Sequence, residues 1–139
     1  MHLLAGHDGI VADWVGKRLG GRFVPPIVGL GIIDRCGTLR GGFIIRAQND
    51  STCELSLYSE GVLTHGVMRT MFRILFQGLR FSRCVIHTPK TNRAMKRAAP
   101  KLGFRFECAA RNFYGDGADG LQFSMTPETC RWLIRKSHV

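Results

Sequence analysis

The sequence predicts a mixed α/β domain: a mostly antiparallel sheet with helices on both faces and one central pair of parallel strands. Two β-rich runs flank the turn "DRCG" and two more flank "GDGADG", so each pair predicts an antiparallel hairpin. Between the hairpins, an amphipathic segment separates strand-like runs at 52–58 and 83–88. Because a helical crossover usually returns the chain in the same direction, we expect these two strands to be parallel neighbours.

Residues 1–60 predict a short strand, a helix and then three further strands. "MHLLAG" is the opening strand, and "DGIVADWVGKRLGG" is a helix that Asp8 caps and two glycines end. "IVGLGII" and "TLRGGFIIRAQ" form the first hairpin, and "QNDS" turns the chain into the strand "CELSLYSE". In that strand leucines alternate with polar and aromatic residues, which predicts two different faces.

Residues 61–139 predict two crossover helices with a strand between them, a second hairpin and a last helix. "LTHGVMRTMFRILFQGL" is amphipathic, since its apolar residues recur at steps of three and four while Arg69 and Arg73 share another face. "RCVIHTP" is the next strand, and "TNRAMKRAAPKLGF" is a helix that ends at Gly103. "RFECAARNFY" and "GLQFSMT" are the final strands, and Thr126 is expected to cap a helix over "PETCRWLIRK".

The composition fits one globular domain spanning residues 1–139, with 45% hydrophobic and 22% charged residues. The chain has no apolar run near the ~20 residues of a membrane-spanning helix and no leader-like start, so we expect a cytoplasmic protein. The five cysteines are scattered without a CxxC pair, which favours free, buried or half-buried thiols over a disulfide or a zinc site. No metal site is predicted.

The net charge of +10 comes from one part of the chain. Residues 61–106 contain ten Lys and Arg and no Asp or Glu, whereas the rest of the chain holds ten of each sign. Such a concentration of cations produces a positive potential that attracts polyanions. The charge pattern therefore favours a phosphorylated cofactor or a nucleic acid, and composition does not choose between them.

Several motifs between residues 26 and 134 occur in an informative order. They are "CELSLYSEG" before an amphipathic helix, then "CVIHTP", "TNRAMKRAAPKLGFRFE" and "NFYGDGADGLQFSMTPETCRWL". Among them are Asn92 after the fifth strand, "KLGF" at the end of the following helix, and Cys130, Trp132 and Leu133 after the last strand. This succession resembles the GNAT superfamily of acyl-CoA-dependent N-acetyltransferases, most of all its small phage and bacterial members. It implies one acyltransferase domain, in the host cytoplasm if the gene belongs to a phage.

The resemblance implies a coenzyme A site on the basic segment. The loop "SEGVLTHG" would bind the pyrophosphate, and a helix N-terminus independently offers free N–H groups to phosphate. Parallel strands that splay apart would expose backbone groups to the pantetheine chain. The residues expected to contact acetyl-CoA are Leu55, Leu57, Ser59, Thr64, His65, Gly66, Arg69, Asn92, Arg93 and Lys96.

Acetyl transfer to an amine needs a group that takes a proton, because an ammonium has no lone pair with which to attack. Glu54 is the only acid inside the candidate strand and is the predicted base, with acids beyond that strand as alternatives. The family commonly has a Tyr that protonates the leaving thiolate, but the matching position here is Ala99, so Tyr58 and Tyr114 are the candidate substitutes. His87, alone on its strand, is interpreted as structural.

We therefore expect an N-acetyltransferase that transfers the acetyl group directly, in a ternary complex, to an amine of a protein or a small molecule. The acceptor would enter between the helix with Trp14 and the "FYGDGADG" turn, where Asp116 and Asp119 could attract a cationic amine, and a homodimer partner could complete the wall. Two alternatives stay open. One is a nucleic-acid-binding module, which would need exposed aromatic residues within 61–106. The other is a catalytically weak GNAT fold that binds a partner.

Overall fold

A computed structural model describes residues 1–133, which contain a sheet of seven strands and three α-helices. The strands are β1 (His2–Leu4), β2 (Val28–Ile33), β3 (Leu39–Ala47), β4 (Thr52–Ser59), β5 (Arg83–Pro89), β6 (Arg105–Ala110) and β7 (Gly120–Met125). The helices are α1 (Asp8–Leu19), α2 (His65–Arg73) and α3 (Arg93–Lys101). A π-helical turn, Ile74–Gly78, extends α2, and a 3₁₀ turn, Pro127–Thr129, follows β7. Within this range no helix combines the length and the apolarity needed to cross a membrane.

The strand order in the sheet is β1-β2-β3-β4-β5-β7-β6. All neighbouring strands are antiparallel except β4 and β5, which are parallel because α2 carries the chain across the sheet between them. The predicted parallel pair at 52–58 and 83–88 is therefore confirmed. The mostly antiparallel mixed sheet with helices on both faces is confirmed as well.

Helix α1 covers one face of β2, β3 and β4. Its small core contains the buried residues Val11, Ala12, Val15 and Ile44. Glycine at position 42 lets the helix lie close to the sheet, since a Cβ on Gly42 would stand 2.6 Å from Cγ2 of Val15. The close approach fixes the end of α1 near the middle strands.

Helices α2 and α3 cover the opposite face with a larger core. The predicted apolar face of α2 is confirmed, because Met68, Met71, Phe72 and Leu75 are all fully buried. Strand residues on this face include Leu55 and Ile86. Because side chains alternate along a strand, their neighbours Glu54 and His87 lie on the other face.

The prediction that Asp8 caps α1 is wrong. Asp8 is the first residue of the helix, His7 precedes it, and no side chain caps the N-terminus. Oδ1 of Asp8 instead accepts a hydrogen bond from the backbone N–H of Gly29 at 2.9 Å. This partner lies on β2, so the carboxylate ties the helix to the sheet, a contact between residues far apart in sequence.

The chain after β7 also differs from the prediction. Of the helix expected over 127–136, only the 3₁₀ turn Pro127–Thr129 is present in the described residues, and 134–136 lie outside them. The backbone of Cys130 is extended (φ −78°, ψ 102°), which ends the turn. The indole N–H of Trp132 then donates to the carbonyl of Leu102 at 2.8 Å, so packing against α3 replaces helix continuation.

Strand β6 is also shorter than predicted. It ends at Ala110, four residues before the predicted "NFY" end, because the chain turns there.

Three of the five cysteines fit the expectation of free buried thiols. Cys53, Cys84 and Cys130 are buried, whereas Cys36 and Cys108 are exposed, contrary to that expectation. A hydrogen bond with Cys53, together with burial, raises the pKa of the Cys84 thiol. Burial also raises the pKa of the Cys130 thiol, so Cys84 and Cys130 both stay in the less reactive protonated form. Across residues 1–133, no three His, Cys, Asp or Glu side chains are grouped so as to hold a metal ion.

Candidate active site

The sheet opens between β4 and β5. The two strands pair only over Thr52–Glu54 and Arg83–Val85, and beyond that point residues 55–59 and 86–89 are not paired with each other. A cavity of about 360 Å³, which we call the groove, lies along these unpaired segments. Its lining consists of Leu19, Leu55, Ser56, Leu57, Ile86, His87, Thr88, Pro89, Asn92, Met95 and Tyr114. Unpaired strand edges can accept an extended chain that carries amide groups.

The loop that leaves β4 ends in a capped helix terminus. Oγ1 of Thr64 accepts a hydrogen bond from the N–H of Val67 at 3.2 Å, which caps α2. His65 and Gly66 in the first turn are exposed, and their N–H groups have no partner within residues 1–133. A Cβ on Gly66 would meet no atom within 4 Å, so the space in front of this turn is open. The terminus can therefore receive an anion.

Three further residues predicted to contact acetyl-CoA, with Ser59 among them for its backbone, lie at or near this turn. Oγ of Ser59 accepts from the N–H of Val62 at 3.0 Å, so Ser59 shapes the loop. The ring of His65 lies against that of Trp132, with centroids 5.3 Å apart. Arg69, one turn into α2, is half-buried, and its Nε is buried without a partner in the described part of the chain. Arg69 thus keeps an unused donor next to the helix terminus.

The start of α3 closes one side of the groove. Asn92 caps this helix by accepting a hydrogen bond from the N–H of Met95 at 3.1 Å, and both residues line the groove. Arg93 and Lys96 are exposed outside the lining, and Nζ of Lys96 donates to the carbonyl of Lys90 at 3.2 Å. The structure therefore brings Asn92 to the groove and leaves the two cations at its edge.

Glu54 stands where the pairing of β4 and β5 ends, opposite Val85. Its Oε2 lies 2.8 Å from Nδ1 of His87, and Arg46 donates to Oε1 at 3.2 Å. Nε2 of Gln48 donates to Oε2 at 3.4 Å. The side chain is 18% exposed. Glu54 is therefore a firmly held carboxylate at the apex of the groove, and His87 joins it to the groove lining.

A chain of hydrogen bonds continues from His87 to the edge of the sheet. Nε2 of His87 lies 2.7 Å from Oε1 of Gln122 on β7, and Nε2 of Gln122 donates to Oε1 of Glu107 at 2.6 Å. Both guanidinium N–H groups of Arg83 donate to the carboxylate of Glu107. The hydrogen bond from Arg83 lowers the pKa of Glu107 to about 2. Glu107 is therefore a carboxylate at neutral pH.

The loop between β6 and β7 supplies an aromatic wall. The Phe113 ring stacks on His87, with centroids 4.5 Å apart and planes 16° from parallel. Tyr114 lines the groove and packs edge-on against Phe113, with centroids 4.9 Å apart. Burial, and next the charge of Glu54, raise the pKa of Tyr114. The phenol therefore stays protonated at neutral pH.

The other predicted phenol and the tyrosine-like position lie elsewhere. Tyr58 packs edge-on against Trp14 of α1, with ring centroids 5.8 Å apart. Ala99, on the inner face of α3, is fully buried in the larger core. Of Tyr58 and Tyr114, only Tyr114 lines the groove.

Thr88 on β5 has an unusual hydroxyl. The residue is 2% exposed, and its Oγ1 is buried without a hydrogen-bond partner among residues 1–133. Buried polar side-chain atoms nearly always have a partner, and leaving one unpaired costs free energy. Thr88 also lines the groove, so this unpaired hydroxyl lies in the wall of the cavity.

The predicted acidic residues of the "GDGADG" turn have different environments. Oδ1 of Asp119 accepts a hydrogen bond from the N–H of Asn112 at 3.0 Å, so this carboxylate shapes the loop. Asp116 is exposed and has a positive φ of 39°. Attraction of a cationic acceptor to this turn stays a prediction.

The basic segment retains its charge in the folded protein. Of its ten cations, only Arg83 forms an ion pair within the described residues, with Glu107. The positive potential inferred from composition is therefore not neutralised by neighbouring carboxylates.

Sequence reasoning missed His87 and Thr88 as residues of the site. The period-two pattern of β5 puts them on opposite faces of the strand, yet both line the groove because the sheet opens beside them. The signal that could have found His87 is the expected parallel pairing with the strand that carries Glu54. That pairing does not specify the register, so the contact could not be derived.

No protein-family model and no curated protein matches this sequence. Solved structures match its fold. A spermidine N-acetyltransferase from Vibrio cholerae aligns with a TM-score of 0.73 at 11% identity, over 91% of this chain and 95% of the other. A GCN5-related N-acetyltransferase from Brucella melitensis aligns with a TM-score of 0.60 at 22% identity, over 74% and 52%. For a ribosomal-protein-S5-alanine acetyltransferase from Vibrio fischeri the TM-score is 0.59 at 13% identity, over 76% and 63%.

The chain spans 52% and 63% of the lengths of the Brucella and Vibrio fischeri proteins. At these identities the alignments establish the fold and leave the activity to be argued from the site. The family resemblance inferred from the motifs is confirmed at the level of fold, while its phage-type refinement stays a prediction. This protein has the fold of the GNAT acetyltransferases.

Proposed function

We propose that the protein is an N-acetyltransferase that binds acetyl-CoA in the groove and transfers the acetyl group to an amine. The observation that carries this proposal is the opening of the sheet between residues 55–59 and 86–89. Backbone groups inside a sheet are normally paired, so an opening between two inner strands leaves groups that need partners. The pantetheine arm of coenzyme A is an extended chain with amide groups and supplies such partners.

The pyrophosphate of the cofactor is expected at the N-terminus of α2. The free N–H groups of His65 and Gly66 point out of the first turn, where the helix dipole favours an anion. Thr64 and Ser59 act through the shape of the turn, because their hydroxyls accept hydrogen bonds from the loop and helix backbone. The unused donor of Arg69 lies one turn further on.

The pantetheine arm would run along β4 toward Glu54. The backbones of Leu55 and Leu57 are the proposed pairing partners on this side, and Thr88 and Asn92 offer polar side chains on the other. Arg93 and Lys96 would contribute to the positive field at the edge. The thioester then lies at the apex, where a backbone N–H of β4 can stabilise the oxyanion of the intermediate.

The chemistry follows from the groups at the apex. The amine nitrogen attacks the thioester carbon, a C–N bond forms, and the C–S bond breaks. An ammonium acceptor loses two protons overall: Glu54 takes one, and the other replaces the proton that Tyr114 gives to the thiolate sulfur. Tyr114 is the proposed donor to the thiolate, since it lines the groove and its phenol is protonated at neutral pH. Tyr58 is a less suitable donor because it packs against α1.

Isothermal titration of the full chain with acetyl-CoA tests the cofactor proposal. We expect saturable binding, and an absence of binding at millimolar acetyl-CoA would overturn the proposal. Adenosine 3′,5′-bisphosphate is the matched control, because it carries phosphates without the pantetheine arm. Weaker binding of this nucleotide is expected, whereas equal affinity would mean that the basic surface alone holds the ligand.

Two assays address the acceptor and the alternatives. Release of coenzyme A in the presence of a panel of polyamines, small amines and peptides reports transfer and ranks the acceptors. Binding without transfer to any of them would favour a catalytically weak partner-binding protein. The nucleic-acid alternative needs exposed aromatic rings in the basic segment, where Phe72, Phe76 and Phe104 are buried and Phe81 is half-buried. Phe106, 60% exposed, is the one exposed phenylalanine within residues 61–106. Salt-dependent binding of DNA or RNA that coenzyme A does not displace would favour this alternative.

A further inference from the structure

We propose that His87 is a positioning residue for Glu54 and that these two side chains share one exchangeable proton. The inference rests on the proposed function for its role in catalysis, but the placement of the proton follows from hydrogen bonds alone. His87 is 9% exposed at its side chain and Glu54 18%, so both lie largely outside bulk solvent. The chain of hydrogen bonds toward the sheet edge determines which nitrogen of His87 carries which proton.

The first step is the orientation of Gln122. Its Nε2 lies 2.6 Å from Oε1 of Glu107, and Arg83 keeps Glu107 ionised by donating to both of its oxygens. A carboxylate accepts hydrogen bonds and cannot donate them. Rotating the amide of Gln122 by half a turn would set its oxygen against the carboxylate. The NH₂ group of Gln122 therefore faces Glu107, and its oxygen faces His87.

The second step is the tautomer of His87. Because Oε1 of Gln122 is an acceptor 2.7 Å from Nε2 of His87, Nε2 must carry a proton. When His87 is neutral, Nδ1 is then the bare nitrogen. The proton that His87 gains or loses is accordingly the one on Nδ1.

The third step is the contact with Glu54. Nδ1 lies 2.8 Å from Oε2 of Glu54, a hydrogen-bond distance that requires a proton between the two atoms. Without it, two lone pairs would face each other at that separation. The structure therefore corresponds to the state in which the pair holds the shared proton, drawn as an imidazolium beside a carboxylate.

The other groups around the pair are accounted for. Arg46 of β3 and Gln48 after it donate to Glu54, and the charge of Glu54 acts on Tyr114 of the β6–β7 loop. Phe113 of the same loop stacks on the ring of His87. Arg46 donates to Oε1 of Glu54, so the contact with His87 is made through the other oxygen, Oε2.

To act as a base, the pair first gives its shared proton to solvent, which leaves neutral His87 beside ionised Glu54. The proton leaves the amine nitrogen, passes to Glu54, and comes to rest on Nδ1 of His87, so no charge accumulates on the pair. The amine lone pair forms the C–N bond as the C–S bond breaks, Tyr114 protonates the thiolate, and the second amine proton restores the phenol of Tyr114. The pair returns its proton to solvent after product release.

Long-range ¹H–¹⁵N NMR of the histidine rings in the full chain tests the proton placement without a substrate. The His87 signals are assigned by their loss in His87→Asn, and His2→Gln, an exposed position, serves as the control. We expect neutral His87 to carry its proton on Nε2. Gln122→Leu removes the acceptor, so the tautomers should then mix. A neutral His87 protonated on Nδ1, or a Gln122→Leu variant with an unchanged tautomer, would overturn the inference.

Kinetics test the role in catalysis. An Asn side chain can donate a hydrogen bond to Glu54 from the position of Nδ1, but its amide group does not gain or lose a proton as the pH changes. We therefore expect His87→Asn to lower kcat roughly 100-fold and to move the acidic limb of the kcat pH profile, because Glu54 then accepts the proton alone, with acetyl-CoA affinity retained. Wild-type kcat and pH profile in this variant would overturn the inference while leaving the acetyltransferase proposal intact. Failure of the wild-type protein to bind acetyl-CoA would overturn that proposal, whereas the NMR measurement would still test His87.

Discussion

At the scale of single residues, the groove combines side chains with complete hydrogen bonds and side chains without them. Glu54 is held by three neighbours, whereas the hydroxyl of Thr88 and Nε of Arg69 are buried with no partner within residues 1–133. The completed bonds keep the apex of the groove rigid in the absence of ligand. The two groups without partners are candidates for hydrogen bonds with a ligand. Substituting them therefore tests separately the free energy of unfolding and the affinity for the ligand.

Replacing Thr88 by Val separates these two effects. Val keeps the shape of the side chain and removes the unpaired hydroxyl, so the free energy of unfolding should rise by about 1 kcal/mol. Affinity for acetyl-CoA should fall, because the ligand loses a partner. Thr88→Ser keeps the hydroxyl and is the control for binding. Chemical denaturation and calorimetric titration measure the two quantities, and a Val variant that binds normally would remove Thr88 from the site.

The ion pair of Arg83 and Glu107 makes stability depend on pH. The pKa of Glu107 is lowered from 4.5 to about 2 by its hydrogen bond with Arg83, so the pair contributes stability above pH 4.5 that is lost as the pH falls through 2. The Glu107 side chain is 31% exposed, and after allowance for screening Glu107→Gln should lower the free energy of unfolding by about 1 kcal/mol at pH 7. The difference should shrink toward pH 2 in denaturation series. Glu128→Gln, at an exposed position, should show no such trend.

At the scale of elements, one close helix–sheet contact and one helix terminus determine the shape of the site. Glycine in β3 lets α1 settle on the sheet, which brings Leu19 at the end of α1 to the groove. The turn from β4 into α2 ends in a capped helix whose first N–H groups are free. In both places the local backbone, more than any side chain, determines where a ligand can lie.

Two glycine-to-alanine variants test the seating of α1 in opposite directions. Gly42→Ala puts a Cβ 2.6 Å from the stiff side chain of Val15, so the free energy of unfolding should fall by about 1–3 kcal/mol. Gly9→Ala, within α1 and with no atom within 4 Å of an added Cβ, should raise it by roughly 0.5–1 kcal/mol. Thermal or chemical unfolding measures both. Equal effects of the two variants would contradict a close fit at Gly42.

The helix terminus is tested by charge at Gly66. An Asp in the first turn of a helix favours the helix dipole but repels a bound phosphate. Gly66→Asp should therefore leave the protein folded and weaken acetyl-CoA binding by more than tenfold. Gly66→Ala enters the same open space without charge and should bind nearly as well as the wild type. Normal binding by the Asp variant would place the pyrophosphate elsewhere.

At the scale of the whole molecule, one basic segment supplies α2, β5 and α3, which border the opening of the sheet. The ten cations of residues 61–106 belong to the elements that surround the groove, and nine of them form no ion pair within residues 1–133. Their combined potential attracts anions at long range, and dissolved salt weakens this attraction. The whole segment should therefore contribute to the affinity for a charged cofactor. It should not contribute to the affinity for an uncharged fragment of that cofactor.

Salt titration distinguishes the contribution of the positive potential to binding from the contribution of contacts in the groove. The affinity for acetyl-CoA should fall as the ionic strength rises, because exposed charges are screened beyond a Debye length of about 10 Å at 0.1 M. Binding of S-acetylpantetheine, which lacks the phosphates, should be insensitive to salt. Calorimetry over a series of NaCl concentrations measures both ligands. Salt-independent binding of acetyl-CoA would mean that the groove, and not the field, supplies the affinity.

The sequence alone determined the order of the elements from β1 to β7, the parallel neighbours β4 and β5 and the apolar face of α2. These features depend on periodicity, turn residues and chain connectivity, which are properties of neighbouring residues. The residues at the helix starts show the limit of such local information. Thr64 and Asn92 cap helices through neighbouring N–H groups, whereas Asp8 accepts a hydrogen bond from a residue 21 positions away.

The tertiary structure decided the composition of the groove. It selected Tyr114 over Tyr58 for the lining, buried Ala99 in the core, and joined His87 to Glu54 across 33 residues of sequence. Each of these outcomes depends on the register and separation of strands that meet only in the folded sheet. A one-residue change of register would move every side chain to the other face, so no local pattern could have specified the proton-sharing pair.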